Sequence, residues 1–562
     1  MRARSVVCRP SLQRLFSMRV LPACLLLAMT ATVFAAPPGP REPWTFVKQE
    51  AIRSHVDFLA SDLLEGRAAA SRGFDIAAAY VAAQFRQSGL KPAGNGETFF
   101  QAVPLLEATP VLPGSSAEWV VDDKTERFEY GTDYLPSADF TSASSTVTAP
   151  LVFAGYGVEA PELGYDDLTN VDLKGRIAVV FTGAPAKFPH DERAYYSWSN
   201  GKFARLIEHG AVGALLIESP ADAKRTPWDR NVAMSWTPQM RWVDEGGVPH
   251  AAYEQLKLRF RFKQAAAARL FEGAGHDFDD ILSSAEAGDV QGFELPGLFT
   301  LSATTGLRRT ESMNVIGALP GSDPQLKNEY LVVTAHLDHL GRGAAVNGDS
   351  IYNGAHDNAV GMGILLEMAR ALNASGARPR RTIVFAALTA EEKGLIGSDY
   401  LATHPPYPIG DLVANINIDM PTLLTPTSDL IARGEEHSSL GTIARTAAAA
   451  HGYRLSPDPA PEQVSFIRSD QFSFIQYGVP AIVLGGGSKA RDKNIDAEAL
   501  RSDFLKNHYH QPSDETELPM DFVGAADLAR INLRIVLEVA NAQSAPAWKA
   551  KDFFSIKFPR AR

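Results

Sequence analysis

From about residue 300 onward the chain alternates short apolar runs with amphipathic stretches of helical length, and most of the apolar runs lead into a knot of histidine, aspartate or glutamate. Residues 330–334, 382–388, 412–418 and 481–484 read as buried strands. Residues 361–372 and 520–540 read as helices. Strands that alternate with helices predict an α/β fold, a doubly wound mixed sheet with helices on both faces. In such sheets ligands sit outside the carboxyl ends of the strands, which is where the polar knots fall. With 562 residues, 45% of them hydrophobic, the chain can bury more than one large core.

Five clusters stand out. The first strand runs into Ala335-His336-Leu337-Asp338-His339, and His336 and Asp338 share one side if the extended backbone continues. Asp357 lies at the mouth of the helix that follows. Glu391 and Glu392 end the second strand, Asp419 ends the third, and His508-Tyr509-His510 stands in a loop that leads to Asp514. Taken singly, each has a plain explanation: a loop histidine at the surface, adjacent glutamates matching a helix dipole, an aspartate as a cap. Taken together, imidazoles and carboxylates at successive strand ends suit zinc. Two neighbouring cations need about five or six protein ligands, and a water they share is partly hydroxide near neutral pH. Of two adjacent acids, one can bind metal while the other carries protons. Helical His-Glu-x-x-His, a Walker loop and Gly-x-Ser-x-Gly are all missing, and Gly485 to Gly487 reads as a turn.

The N-terminus reads as an export signal over residues 1–36. Arg2, Arg4, Arg9, Arg14 and Arg19 precede an apolar stretch from Val20 to Phe34, with small residues before a cleavage point near Ala35 or Ala36; Met18 is a second candidate start. An uncleaved anchor is disfavoured by the short run and by Pro22. Both cysteines, Cys8 and Cys24, fall in this segment, so the mature chain carries no disulfide and a metal site must use histidine and carboxylates. The expected location is secreted or periplasmic, with no stable membrane insertion after cleavage. A net charge of −11 weighs against a nucleic-acid partner. Two helices are expected next, one with Ile52, Val56, Leu59, Leu63 and Leu64 on its apolar side, the other with Phe74, Ile76, Ala77, Tyr80, Val81 and Phe85. Residues 136–296 have a β-rich texture and none of the five clusters.

These clusters, in this order, resemble the di-zinc aminopeptidase family, which includes bacterial leucine-type aminopeptidases, glutamate carboxypeptidase and glutaminyl cyclase. The likeness runs from about Trp44 to Ala540 and includes Ser88-Gly89-Leu90-Lys91-Pro92. It implies a zinc exopeptidase fold built from residues 44–135 and 297–545, and two Zn2+ per chain. His336 and Asp419 would hold one ion, Glu392 and His510 the other, and Asp357 would bridge them. Glu391 would serve a metal-bridged hydroxide as general base and then acid. Asp338 would orient and polarise His336, and Tyr509 would steady the oxyanion. Arg468 would touch substrate, although an ion pair with a surface acid explains it equally. His356 stands where many members have Asn or Asp and is expected to point away from the metals, with His339 and His508 around the ligands or at the surface. Residues 136–296 resemble the protease-associated domain through Gly155-Tyr156-Gly157-Val158, Tyr165-Asp166-Asp167 and the runs 171–180 and 210–215. Such a module is expected to cover the cleft. Residues 546–562 form a short basic tail with no assigned role. The resemblance implies peptide substrates and an aminopeptidase. Alternatives are a carboxypeptidase of the glutamate carboxypeptidase type, a single-zinc glutaminyl cyclase, or a binding protein on an inactive scaffold. Retention of every expected ligand opposes the last two. No motif sets the oligomeric state.

Overall fold

Why the strand at 330–336 sits where it does is clear from its side chains. Leu331 and Val333 join one apolar core, while Tyr330 and Val332 join another. Period-two alternation between two apolar environments is what a strand covered on both faces requires. The structure, a computed structural model, describes residues 42–235 and 237–560. The segment read as an export signal, with Cys8 and Cys24, lies outside the described residues.

In chain order the elements that matter are α1 (Gln49–Leu59), α2 (Arg72–Gln87), β1 (Phe100–Val121), β2 (Ser144–Phe153), β3 (Ile177–Phe181), α3 (His190–Ser197), α4 (Ser199–Glu208), β4 (Gly213–Ile217), β5 (Leu258–Phe262) and β6 (Phe293–Leu319). Then come β7 (Tyr330–His336), α5 (Val360–Ala374), β8 (Thr382–Leu388), β9 (Leu412–Asn417), β10 (Asp429–Arg433), β11 (Arg454–Ser456), β12 (Ala481–Gly486), α6 (Phe522–Asn541) and α7 (Phe553–Lys557). The strand order is β11-β10-β12-β9-β7-β8-β6, and from β6 the ladder continues through β2, β3, β4 and β5. Strands β7, β8, β9 and β12 are mutually parallel where they pair, β6 runs antiparallel to its neighbours, and β10 runs antiparallel to β12 but parallel to β11. The sheet is therefore mixed, as expected. Helices α1, α2, α5 and α6 cover one face with Ile52, Val56, Phe74, Val81, Ile364, Leu365, Ile531 and Ile535. Leu401 and Phe474 cover the other.

The second core, around Phe153, Phe181, Leu215, Phe260 and Phe299, draws on residues from Ala117 to Ala303. It thus reaches beyond 136–296 on both sides. The reason is β1 and β6, two long strands paired with each other from Phe100 to Val120. The first half of β6 pairs with β2 and its end pairs with β8, so one strand serves both cores. Three expectations need correction. Leu63 is 78% exposed, because the first helix ends at Leu59 and a tighter turn follows. Ile76 is 39% exposed, off the buried side of α2. Gly485 and Gly486 lie inside β12 rather than in a turn. The tail is also not idle: Trp548 donates to the Gly478 carbonyl, Arg560 donates to the Gly410 and Leu412 carbonyls, and Phe554 is fully buried. Among the described residues, no helix is long and apolar enough to cross a membrane.

Candidate metal centre

Strand register brings the polar knots to one level. Thr334 of β7 is paired with Ala386 of β8 and with Asn417 of β9. The chain segments that leave these strands therefore deliver His336, Glu391, Glu392 and Asp419 to the same edge of the sheet. Asp357 joins them from the irregular turn that opens α5.

Two half-sites result. His336 Nε2 lies 3.1 Å from Asp419 Oδ1 and 3.2 Å from Asp357 Oδ1. His510 Nε2 lies 3.0 Å from Glu392 Oε2 and 3.2 Å from Asp357 Oδ2. Asp357 thus gives one oxygen to each half-site. Two donors about 2.0–2.1 Å from one tetrahedral ion stand about 3.3 Å apart, so these spacings fit a metal. The charge fits as well. Side chains of Asp357 and Glu392 are 4% exposed and that of Asp419 is 12% exposed. Buried carboxylates gathered this closely each cost several kcal/mol unless a cation compensates them. His510 Nε2 faces the Asp357 and Glu392 carboxylates, and no other described residue offers it a hydrogen-bond partner.

The electrostatics follow from this crowding. Burial favours the neutral form of His510, yet Glu392 and Asp357 outweigh it and raise its pKa to about 9. Burial and Glu392 push Asp357 up, but His336, His510 and His339 hold it near about 2. Burial raises the Glu391 carboxyl well above its ordinary range. His336 opposes that rise, and Asp419, Glu392 and Asp470 add to it. A cation must displace the His510 proton, so metal affinity is expected to fall as pH drops below about 9, and binding is expected to release protons. Calorimetric titration in buffers of different ionisation enthalpy checks this; heats that do not depend on the buffer would contradict it.

Two buried carboxylates hold the turns that carry Asp357, Glu391 and Glu392. Asp338 accepts from the backbone N–H of Glu391 at 3.1 Å and of Glu392 at 3.4 Å. Asp514 accepts from those of His356 at 2.9 Å and Asp357 at 3.1 Å. The role expected for Asp338 changes accordingly. Its carboxylate stands 4.0 Å from His336 Nδ1, whereas its backbone oxygen, at 3.1 Å, receives the Nδ1–H. The side chain anchors the Glu391–Glu392 turn instead. Asp338→Asn puts an amide where two backbone donors need an acceptor. It is expected to weaken metal binding about 10- to 100-fold with the ligands intact, read by competition with a chromogenic chelator.

His339 Nδ1 lies 2.7 Å from Glu392 Oε1, so this fully buried ring steadies the Glu392 carboxylate. His508 pairs with Ser513 nearer the surface. His356 is fully buried, and its ring packs on Phe504 with centroids 5.1 Å apart. Asn358 donates to the Ile418 carbonyl and accepts from Met420 N–H, which ties the Asp357 turn to the Asp419 turn. Arg67 was invisible in the sequence: buried, it donates to the carbonyls of Leu337, Leu59, Asn353 and Gly354 and joins the N-terminal helices to the segments that carry His336 and Asp357. No spacing pattern marks such a residue, since its partners are backbone atoms far along the chain.

A cavity of about 810 Å³ opens beside the half-sites and is lined by Glu391, Glu392 and Tyr509 on one side and by residues of α3, α4 and the following segment on the other. Tyr509 lies against His510, with ring centroids 3.8 Å apart, and burial raises its hydroxyl pKa. Arg468 also lines the cavity. It is exposed, touches the Gln463 carbonyl at 3.4 Å, and makes no ion pair among the described residues.

Residues 314–534 match Peptidase family M28. The aminopeptidase from Aneurinibacillus sp. strain AM-1 superposes over 93% of this chain and 99% of its own with a TM-score of 0.51 at 18% identity, which shows the shared fold. Transferrin receptor protein 1 of Gallus gallus is 25% identical over 283 residues, 47% of this chain and 34% of that protein. A probable glutamate carboxypeptidase of Arthroderma benhamiae is 33% identical over 353 residues, 54% of this chain and 44% of that protein. The chain spans less than half the length of either curated relative. Their names cover a receptor and a carboxypeptidase and so select no single activity. Over residues 314–534 this chain is similar to peptidase family M28, and its fold is that of the Aneurinibacillus aminopeptidase.

Proposed function

We propose that this chain is an exported two-zinc exopeptidase that removes N-terminal residues from peptides. The observation that carries the proposal is the divided carboxylate of Asp357, each oxygen within 3.2 Å of a different imidazole, His336 and His510. His336 and Asp419 would hold one zinc, His510 and Glu392 the other, with Asp357 shared. Zinc there supplies Lewis acidity, which polarises a carbonyl and makes water a stronger acid. Glu391, beside Glu392 in the cavity wall, takes a proton from the attacking water and delivers it to the leaving amine. Tyr509 presents a hydroxyl whose proton burial retains, suited to donate to the oxygen that gains charge. Glu391 and Asp419 add the negative potential that a free α-amino group seeks. The β-rich segment 136–296 acts as a protease-associated domain that narrows entry, supported by the cavity residues it contributes.

One observation favours a second reading. Arg225 and Arg261 line the cavity together with Arg468, and Asp222 and Glu218 answer only the first two. A cationic wall suits a carboxylate, either an acidic side chain or the free C-terminus that a carboxypeptidase grips. Hydrolysis of an N-blocked peptide against a C-amidated one separates the two. The aminopeptidase spares the first and cuts the second, and the reverse result assigns a carboxypeptidase.

A further inference from the structure

A second cluster of metal-type donors lies where three remote parts of the chain meet. His190 and Asp191 open α3 of the inserted segment, Glu436 and His437 follow β10, and Asp552 precedes α7 of the tail. We propose that His190, Asp191, Glu436 and His437 bind a divalent transition-metal ion, separate from the catalytic pair, that fastens the inserted segment to the peptidase body.

Geometry supports this first. His190, Asp191 and Glu436 each offer a donor atom, and those atoms all lie within 4.8 Å of one another. His190 Nδ1 is 3.4 Å from Asp191 Oδ1. His437 Nε2 is 3.7 Å from the same oxygen and 3.6 Å from Glu436 Oε1. Charge-assisted N–H···O bonds are about 2.7–2.9 Å long, so the His437 contacts are too long for a closed ion pair. They lie nearer the edge of a coordination polyhedron, about 3.3 Å for a tetrahedral ion.

The second observation is His437 itself. Its side chain is 2% exposed. Nδ1 pairs with Asp552 Oδ2 at 2.8 Å, while Nε2 is buried with no hydrogen-bond partner among the described residues and faces Asp191 and Glu436. An imidazole that donates Nδ1–H to a carboxylate turns its lone pair outward at Nε2, the arrangement that metal-bound histidines commonly have. His190 Nε2 is likewise buried without a hydrogen-bond partner among the described residues. Two imidazoles with two carboxylates suit zinc and its transition-series neighbours better than calcium or magnesium, which take oxygen ligands. Glu436 is 52% exposed, so an ion can enter from solvent.

An ion here would do mechanical work. Ala194 of α3 belongs to one buried apolar cluster with Phe466, Ile467, Phe472 and Phe554, and Arg193 and Ser197 of the same helix line the cavity beside Glu391. Holding the first turn of α3 to the 436–437 turn fixes one wall of that cavity.

The test is a zinc titration of chelator-treated full-length protein, with binding stoichiometry and thermal midpoint as readouts. Glu436→Gln and Asp191→Asn, compared with the unaltered chain, are expected to bind one zinc fewer and to lose the zinc-dependent rise in midpoint that belongs to that equivalent. Asp357→Asn, which disables the catalytic pair, is expected to keep this equivalent, so failure here and failure of the catalytic reading give different patterns. Equal stoichiometry in the unaltered chain and both cluster variants would overturn the proposal. So would a midpoint that responds to pH at the cluster but not to zinc, which would make His437 an imidazolium hub.

Discussion

Glu391→Gln is expected to lower kcat by about 100- to 10,000-fold while the protein keeps its bound zinc. Glu391 makes no ion pair among the described residues, and the shared carboxylate and both imidazoles find their partners without it. Its environment prepares it for carrying protons. Burial and the neighbouring Asp419, Glu392 and Asp470 carboxylates raise its proton affinity well above that of a surface glutamate. A carboxyl tuned upward can take a proton near neutral pH and surrender it to an amine within the same cycle. Glutamine preserves the shape and removes that capacity. Turnover measured beside zinc content by atomic emission checks both halves of the expectation. A rate close to that of the unaltered chain would remove Glu391 from the chemistry, and loss of zinc would make it a ligand.

Asp357→Asn is expected to cost more, because in the proposed site one carboxylate serves two ions. Substituting the amide replaces one of the two oxygens with a nitrogen that cannot accept, and removes the negative charge from between the imidazoles. Both half-sites should weaken together, leaving fewer than one catalytic equivalent of zinc after gel filtration and activity down by at least about 1,000-fold, the scale of losing a metal's Lewis acidity at several kcal/mol. The turn itself should survive, since Asp514 holds it through the backbone N–H groups of His356 and Asp357 rather than through the Asp357 side chain. Unchanged secondary structure with lost zinc is therefore the expected pair of results. Full retention of the catalytic zinc would show that the carboxylate is not shared.

Much of this site was legible because strands announce themselves. Apolar runs such as 382–388 are buried on both faces, and the first polar residues after them must emerge at the carboxyl edge of the sheet, where Glu391 and Glu392 are found. The supporting residues were not legible, because their partners are backbone groups. Asp514 and Asp338 look like any loop aspartate until the amides they accept from are known. His339 sat beside a predicted ligand, but only the fold shows that it braces Glu392 rather than lying at the surface. The two long strands escaped for another reason. β1 contains Pro104 and Pro110 and β6 contains Gly297 and Gly306, residues that interrupt a strand pattern in sequence yet are tolerated where pairing is irregular or one face is open. The exposed Leu63 and Ile76 show the opposite error, an apolar residue counted toward a core because of its type.

The central claim is that scattered side chains hold two ions across one carboxylate. Anomalous diffraction at the zinc edge from crystals grown with zinc tests it directly. The account predicts two strong peaks on either side of Asp357, one against His336 and Asp419 and the other against Glu392 and His510. A single peak there, or zinc bound with Asp357 outside its coordination shell, would contradict it.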